Sequence, residues 1–205
     1  HEERVIVNDR EQLETFYKKN RNEIWVGFNS KHYDVYILQG ILAGFNPKEI
    51  NDFIIIQDKP GWAFSNLLRN YPLNNYDVTN GLSKGLKVYE GFMGNNIKES
   101  NVPFNINRKL TTNELNEVIK YCRHDVEQTI EVFYLTKSDF DAHLGLISMF
   151  NLPLSAINKT KVQLSADILE AQNTEYFDEF NISIPPTLKI EKYKKVNTWL
   201  KHTNI

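Results

Sequence analysis

The run Leu115 to Leu135, LNEVIKYCRHDVEQTIEVFYL, constrains the fold more than any other part of the chain. Leu115, Val118/Ile119, Cys122, Val126, Ile130 and Phe133 recur at three- and four-residue spacing. That period predicts an amphipathic helix with one buried stripe, which needs other elements to cover it. Tyr121 and Asp125 are four residues apart, so their side chains share a face, one turn over the other, at the edge of the stripe. A carboxylate at that edge is expected to be partly buried, which costs free energy unless it is paired or binds a metal. Taken alone, the Tyr-x-x-x-Asp spacing fits an ordinary helix whose Asp125 pairs with a neighbour such as Arg123 on a solvated rim.

The first 136 residues alternate between strand and helix patterns. Arg4-Val5-Ile6-Val7 is a short β-rich run, and Asn8-Asp9 reads as the N-cap of a short helix carrying Leu13, Phe16 and Tyr17 and ending near Asn20. Ile24 to Phe28 reads as a buried strand of a sheet covered on both faces. It hands over through Asn29-Ser30-Lys31-His32-Tyr33-Asp34 to a helix marked by Val35, Leu38, Ile41, Leu42 and Phe45 and closed by Gly44 and Pro47. Asp34 thus sits where a strand gives way to a helix, and ligand sites in open α/β sheets gather at the carboxyl ends of strands. Asn75 to Val78 looks like another strand, and Leu86 to Gly94 a short helix. Thr111 or Thr112 caps the long helix, with Glu114 in its first turn.

Beyond it, Asp139 to Phe150 and Lys161 to Ala171 are helical patterns separated by Asn151-Leu152-Pro153, and Pro185-Pro186 breaks the tail. The expected fold class is α/β: a mixed sheet flanked by helices over residues 1–136, with a helical extension over 137–205. The lysine-rich end (Lys189, Lys192, Lys194, Lys195, Lys201) reads as a solvated helix face ahead of a phosphate-binding one.

Charge and cysteine content limit the function classes. Among 205 residues, 24 basic against 26 acidic side chains exclude a globally basic nucleic-acid binder while leaving a local basic groove open. The single cysteine, Cys122, allows neither a disulfide framework nor a cysteine zinc site, which predicts a reducing, cytoplasmic setting. No apolar run reaches membrane-spanning length and no signal-peptide pattern opens the chain, so no membrane partner is expected.

Two motifs together resemble a known family. Asn29-Ser30-Lys31-His32-Tyr33-Asp34, at the end of a strand, is similar to the second motif of the DEDD 3′–5′ exonucleases: an Asn, three variable residues, an aromatic and an Asp. Tyr121-x-x-x-Asp125, 91 residues beyond Asp34 and on a helix, resembles their third motif in its tyrosine form. The histidine form would need His at position 120, which is Lys120. Ser83 to Gly94 is similar to the connecting helix of these domains. The resemblance covers about residues 4 to 136 and is strongest to the proofreading domain preceding the polymerase in bacteriophage DNA polymerases.

The resemblance implies a ribonuclease H-like fold and a site that hydrolyses the 3′-terminal nucleotide of single-stranded DNA. Such chemistry builds charge on the attacking and leaving oxygens, which two Mg2+ or Mn2+ ions roughly 4 Å apart stabilise. Asp125 would hold the ion that activates water, Asp34 would support the other, and Tyr121 would orient the attacking water. Asn29, with Phe28 or Tyr33, would hold and stack the single strand. For Asn29 the alternative is a turn residue ending a strand. His32 reads as a loop histidine, and His124 has no assigned role. A polymerase domain, in cis or in trans, is the implied partner, and the helices after Ser138 would begin its side of the protein.

The family's first motif, Asp-x-Glu in a first strand, has one early match, Asp9-Arg10-Glu11. Asp9 fits a helix N-cap better, and only 24 residues lie between it and Asp34. Val5 to Val7 is therefore expected to be the third strand, with two strands and the first motif preceding residue 1, and the chain alone is expected to be a poor nuclease. Two other readings stand beside this one: a non-cleaving exonuclease fold that binds single strands or a polymerase partner, and a 3′–5′ exoribonuclease.

Overall fold

Short polar side chains that accept the first free amides decide where the helices begin. The computed structural model describes residues 3–80, 82–103, 106, 108–171, 193, 195 and 198. Asp9 accepts the Gln12 amide at 2.9 Å and opens α1 (Arg10–Asn20). Strand β1 (Ile24–Gly27) then passes through a 3-10 turn, Ser30–His32, into α2 (Asp34–Ala43). Gly44 ends α2 at φ 90°, where a side chain would be strained, and Asn46 and Pro47 start the short α3 (Pro47–Asn51). Tight turns through residues 52–70 lead to β2 (Asn74–Asp77). After it come α4 (Leu86–Phe92), α5 (Thr112–Leu135), α6 (Lys137–Met149) and α7 (Lys161–Ile168).

The fold is mixed α/β, as the alternating patterns predict. β1 and β2 pair in parallel, with Ile24 opposite Asn74 and Gly27 opposite Asp77. Parallel neighbours require a crossover, and α2, α3 and the turns after them supply it. Among the described residues these two strands are the whole sheet. The Val5–Val7 run expected to be a third strand forms no ladder, and Val5 and Val7 are exposed. Three apolar residues have too few backbone groups to hold a strand unless a neighbouring edge accepts them. Nor is β1 covered on both faces as expected, for Val26 is 41% exposed.

The far edge of β2 is closed by a side chain instead of a strand. Asn158, at the end of the 3-10 turn Leu154–Asn158, accepts the Asn75 amide through Oδ1 and donates through Nδ2 to the Leu73 carbonyl at 2.9 Å. Its amide thus mimics a ladder residue. On one side of the sheet Tyr17, Leu42 and Leu73 form a core against which Leu13, Trp25, Val35, Leu38 and Tyr71 pack. Gly40 lets α3 approach α2, since a Cβ there would lie 1.8 Å from Ile50 Cδ1. On the other side the buried Tyr76 ring meets Phe133, Phe140 and His143 edge-on at 6.3, 4.9 and 6.1 Å.

The chain divides into two compact units, His1–Ser165 and Ala166–Ile205, and the sheet, helices α1 to α6 and the 3-10 turn Leu154–Asn158 lie in the first. The break expected at Pro185-Pro186, and Lys189, Lys192, Lys194 and Lys201 of the lysine-rich end, lie outside the described residues; Lys195 is exposed. Among the described residues no helix is long and apolar enough to cross a membrane.

The long helix begins on a capping box. Thr111 Oγ1 accepts the Glu114 amide, and Glu114 Oε2 accepts the Thr111 amide at 2.8 Å. Arg108 grips the same carboxylate at 2.7 and 2.8 Å. The Arg108 hydrogen bonds, then those from Thr111, hold the Glu114 pKa down at about 2, from 4.5. A depressed carboxylate pKa stabilises the fold above the unfolded value and loses that contribution as pH falls through the folded one. Thr111→Ala should therefore destabilise the protein by about 0.5–2 kcal/mol in urea unfolding at pH 7. The parent protein should lose stability as pH falls from 4.5 to about 2, and Glu114→Gln should flatten that loss in urea unfolding across this range.

Candidate functional site

Everything placed near the carboxyl ends of the two strands depends on the turn after β1. Asp77 ends β2 and is 2% exposed, with both carboxylate oxygens engaged. Oδ1 accepts the Asn29 amide at 2.9 Å, the Thr79 amide at 3.0 Å and the Thr79 hydroxyl at 2.6 Å. Oδ2 accepts the Lys31 amide at 2.9 Å. Asn29 sits at φ 53°, a conformation Asn tolerates better than most residues, so the turn-forming reading of Asn29 has a direct structural basis. Ser30 is buried beneath it and donates to Asn75 Oδ1 at 3.1 Å. This clamp sets the direction in which the chain enters α2, and so the position of Asp34 at its first turn.

Asp34 opens onto a groove of about 710 Å3 between β1 and α5. Val26, Cys122, Val126, Ile130 and Phe133 form its apolar wall, and Phe28, Asp34 and Asp125 also line it. The Asp34 residue is exposed in area, but atoms crowd its carboxyl on the groove side. That desolvation, and secondarily the charge of Asp77, pushes its pKa above the ordinary value.

The buried face of α5 is not the expected one. His124, Gln128 and Val132 are its buried residues, whereas Cys122, Val126 and Ile130 of the apolar stripe are exposed along the groove. The cause is a buried acid on α4. Glu90 has no exposed surface, and His124 Nε2 pairs with its Oε1. Asn95, just after α4, donates to Gln128 Oε1 at 2.7 Å. Polar side chains can be buried when they are paired, and these pairs turn His124 and Gln128 inward.

Asp125, next on that face, takes the Lys87 ammonium at 2.9 Å and is 31% exposed. The expected rim pairing with Arg123 is not what the structure has: Arg123 pairs with Glu3 at 2.5 Å. Lys87 lies 4.9 Å over the Tyr121 ring, a cation–π distance. Burial, reinforced by the neighbouring Asp125, raises the Tyr121 pKa, so the phenol stays protonated at neutral pH. Burial opposes the charge on Lys87, but Asp125 chiefly, with Tyr121 and Glu90, outweighs it and holds the ammonium charged. Burial likewise opposes the Glu90 charge, and His124 with Lys87 outweighs it, leaving that pKa lowered.

Of the residues singled out in the sequence, Asp34, Asp125 and Phe28 line one groove, and Tyr121 stands a turn from Asp125 beside Lys87. Asn29 and Tyr33 do not line it; the Tyr33 hydroxyl donates to Asn51 Oδ1 at 2.7 Å, fastening the turn to α3. The sequence reading missed Asp77, Lys87, Glu90 and His124. Lys87-x-x-Glu90 at helical spacing, opposite His124-Asp125 on a second amphipathic helix, was the available signal.

With the Lys87 ammonium on Asp125, this donor set does not hold a pair of divalent ions. Two metals need several hard oxygens in one place, yet Asp125 is already neutralised by Lys87. Among the described residues no three Asp, Glu, His or Cys side chains converge as a metal site would require. No family model, curated protein or solved structure matches the chain.

The clamp on the 29–31 turn can be tested alone. Asp77→Ala leaves the Asn29 and Lys31 amides without their acceptor and should cost on the order of 3 kcal/mol in urea unfolding. Hydrogen exchange at those two amides should accelerate in the same variant.

Proposed function

We propose that this chain carries a ribonuclease H-like 3′–5′ exonuclease domain of the tyrosine subclass, acting on the 3′ end of single-stranded DNA beside a DNA polymerase. One observation carries the reading: Asp34 at the end of a strand–turn unit and Asp125 on α5 open on the same groove, although 91 residues separate them. Carboxylates gathered from distant segments suit phosphodiester hydrolysis, where charge builds on two oxygens at once. Phe28 on the groove gives a ring against which a base can stack, and stacking accepts any base. The raised Tyr121 pKa keeps a hydroxyl donor one turn from Asp125.

The second reading is an exonuclease fold that grips a single strand without cleaving it. It is favoured by the Lys87–Asp125 pair, which neutralises the acid that hydrolysis would need. The two readings separate in one assay. The chain is incubated with 5′-labelled single-stranded DNA, and in parallel with RNA of the same sequence, with and without Mg2+ or Mn2+. Slow, cation-dependent shortening of the DNA from its 3′ end, lost in Asp34→Ala and in Asp125→Ala while both variants stay folded, is expected. Binding with no shortening under any condition would assign the non-cleaving reading, and preferential loss of RNA would move the substrate class. If neither strand is bound or shortened, both readings fail.

A further inference from the structure

Strand β1 has one paired edge and one open edge. The Gly27 carbonyl accepts the Val78 amide at 2.9 Å, so Gly27 turns its backbone toward β2. Val26, one residue earlier, turns its amide and carbonyl the other way. Among the described residues β2 is the sole strand paired with β1. Ile24-Trp25-Val26-Gly27 carries no charge and no proline, the residue types that blunt an exposed edge against pairing. The groove wraps around this edge. Trp25, Val35 and Leu38, which pack toward the Tyr17 core, line it from one face of the sheet, and Val26, Val126 and Ile130 line it from the other. The last three are exposed although all are aliphatic.

We propose that the open edge of β1 takes one further β-strand, an extended segment of a partner polypeptide that is apolar on both faces. Its main chain bonds to the Val26 amide and carbonyl, and its alternate side chains enter the two apolar walls. The dimensions agree. β1 offers four residues, about 13 Å at strand rise, and Cys122 to Ile130 spans about 12 Å along α5 at helical rise. Charge decides the class of partner. Among the described residues no Lys, Arg or His lines the groove, and its two charged groups, Asp34 and Asp125, are acids. A nucleic-acid strand would lay a phosphate charge per nucleotide along the aliphatic wall with no cation to receive it, whereas a peptide backbone is neutral. Shape argues against a second copy meeting the first groove to groove, because two facing hollows leave unfilled space between them. The site does not rest on the exonuclease reading. Its readout contains neither metal nor DNA, so either can fail alone.

The probe is the capped peptide acetyl-Lys-Val-Ile-Val-Ile-Lys-amide, whose end charges keep it soluble, titrated into the full chain and followed by NMR. Resonance shifts centred on Val26, Val126 and Ile130, with slowed hydrogen exchange at the Val26 amide, are expected. Val126→Asp, at an exposed position, should weaken binding at least about tenfold by setting a carboxylate against the apolar strand. Two analogues, N-methylated on one or the other alternate set of amides, keep the side chains, and the one blocked on the edge facing β1 should not bind. Should Val126→Asp not fold, the three peptides on the wild-type protein decide. Equal binding of all three, shifts centred elsewhere, or no shift at millimolar peptide overturns the proposal. A thymidine oligonucleotide that shifts Val126 and Ile130 when the peptide does not would give the groove to nucleic acid. A concentration-dependent dimer in sedimentation that excludes the peptide would give it to a second copy, and either result also overturns the proposal.

Discussion

A buried carboxylate with a histidine against one oxygen and an ammonium near the other holds the centre of this molecule together. Glu90 has no exposed surface, and an unpaired charge there would be several kcal/mol unfavourable after relaxation. Its two cationic or donor partners come from different places, His124 from α5 and Lys87 from the preceding turn of α4. The pairing therefore fixes both the contact between the two helices and the rotation of α5 about its own axis. Once His124 is turned inward, Gln128 and Val132 must follow it at helical spacing, and Cys122, Val126 and Ile130 are presented to the groove. The same rotation carries Asp125 onto Lys87 and sets Tyr121 beside the ammonium.

At the other wall of the groove the controlling group is again a buried acid, but an uncharged set of donors satisfies it. Asp77 accepts backbone amides from across the sheet and from its own turn. Two parallel strands of four residues each make a small sheet, and ladder bonds alone would leave the loops at its carboxyl end free to choose among conformations. Asp77 removes that choice. Asn158 does the corresponding work on the outer edge of β2, where its amide group stands in for a third strand. The sheet is thus framed by side chains as much as by backbone, and the aromatic packing of Tyr76 against Phe133 and Phe140 covers what the strands do not.

The groove takes its character from these two acids. Its apolar wall comes from residues that a helix would ordinarily bury, and its polar end comes from Asp34 and Asp125. Asp34 is desolvated and carries a raised pKa, whereas Asp125 is matched to an ammonium. Two carboxylates on one cavity in such different surroundings are suited to different tasks. The contrast is sharper than the motif resemblance implies, since that resemblance treats both as ligands of the same pair of ions.

Local rules were readable along the chain: the Asp9 cap, the stop at Gly44, the Thr111–Glu114 capping box, the strand–turn–helix around Asp34 and the strand ending at Asp77 all follow from side chains within a few residues of one another. A period of 3.6 also placed α5 correctly. What periodicity could not reveal is which face of α5 is inside, because hydrophobicity counts apolar residues and is blind to a buried acid 34 positions earlier that needs His124. Val5 to Val7 and Ile24 to Gly27 show the same limit for strands. Each has β-forming residues, but whether a run is paired, and whether its faces are covered, depends on neighbours that sequence spacing does not specify. The elements and their ends were therefore determined by the sequence through local hydrogen bonding, while the inward face of α5, the Lys87–Asp125 pairing and the meeting of Asp34 with Asp125 on one groove were decided by tertiary structure, because buried charges select their partners across the whole chain.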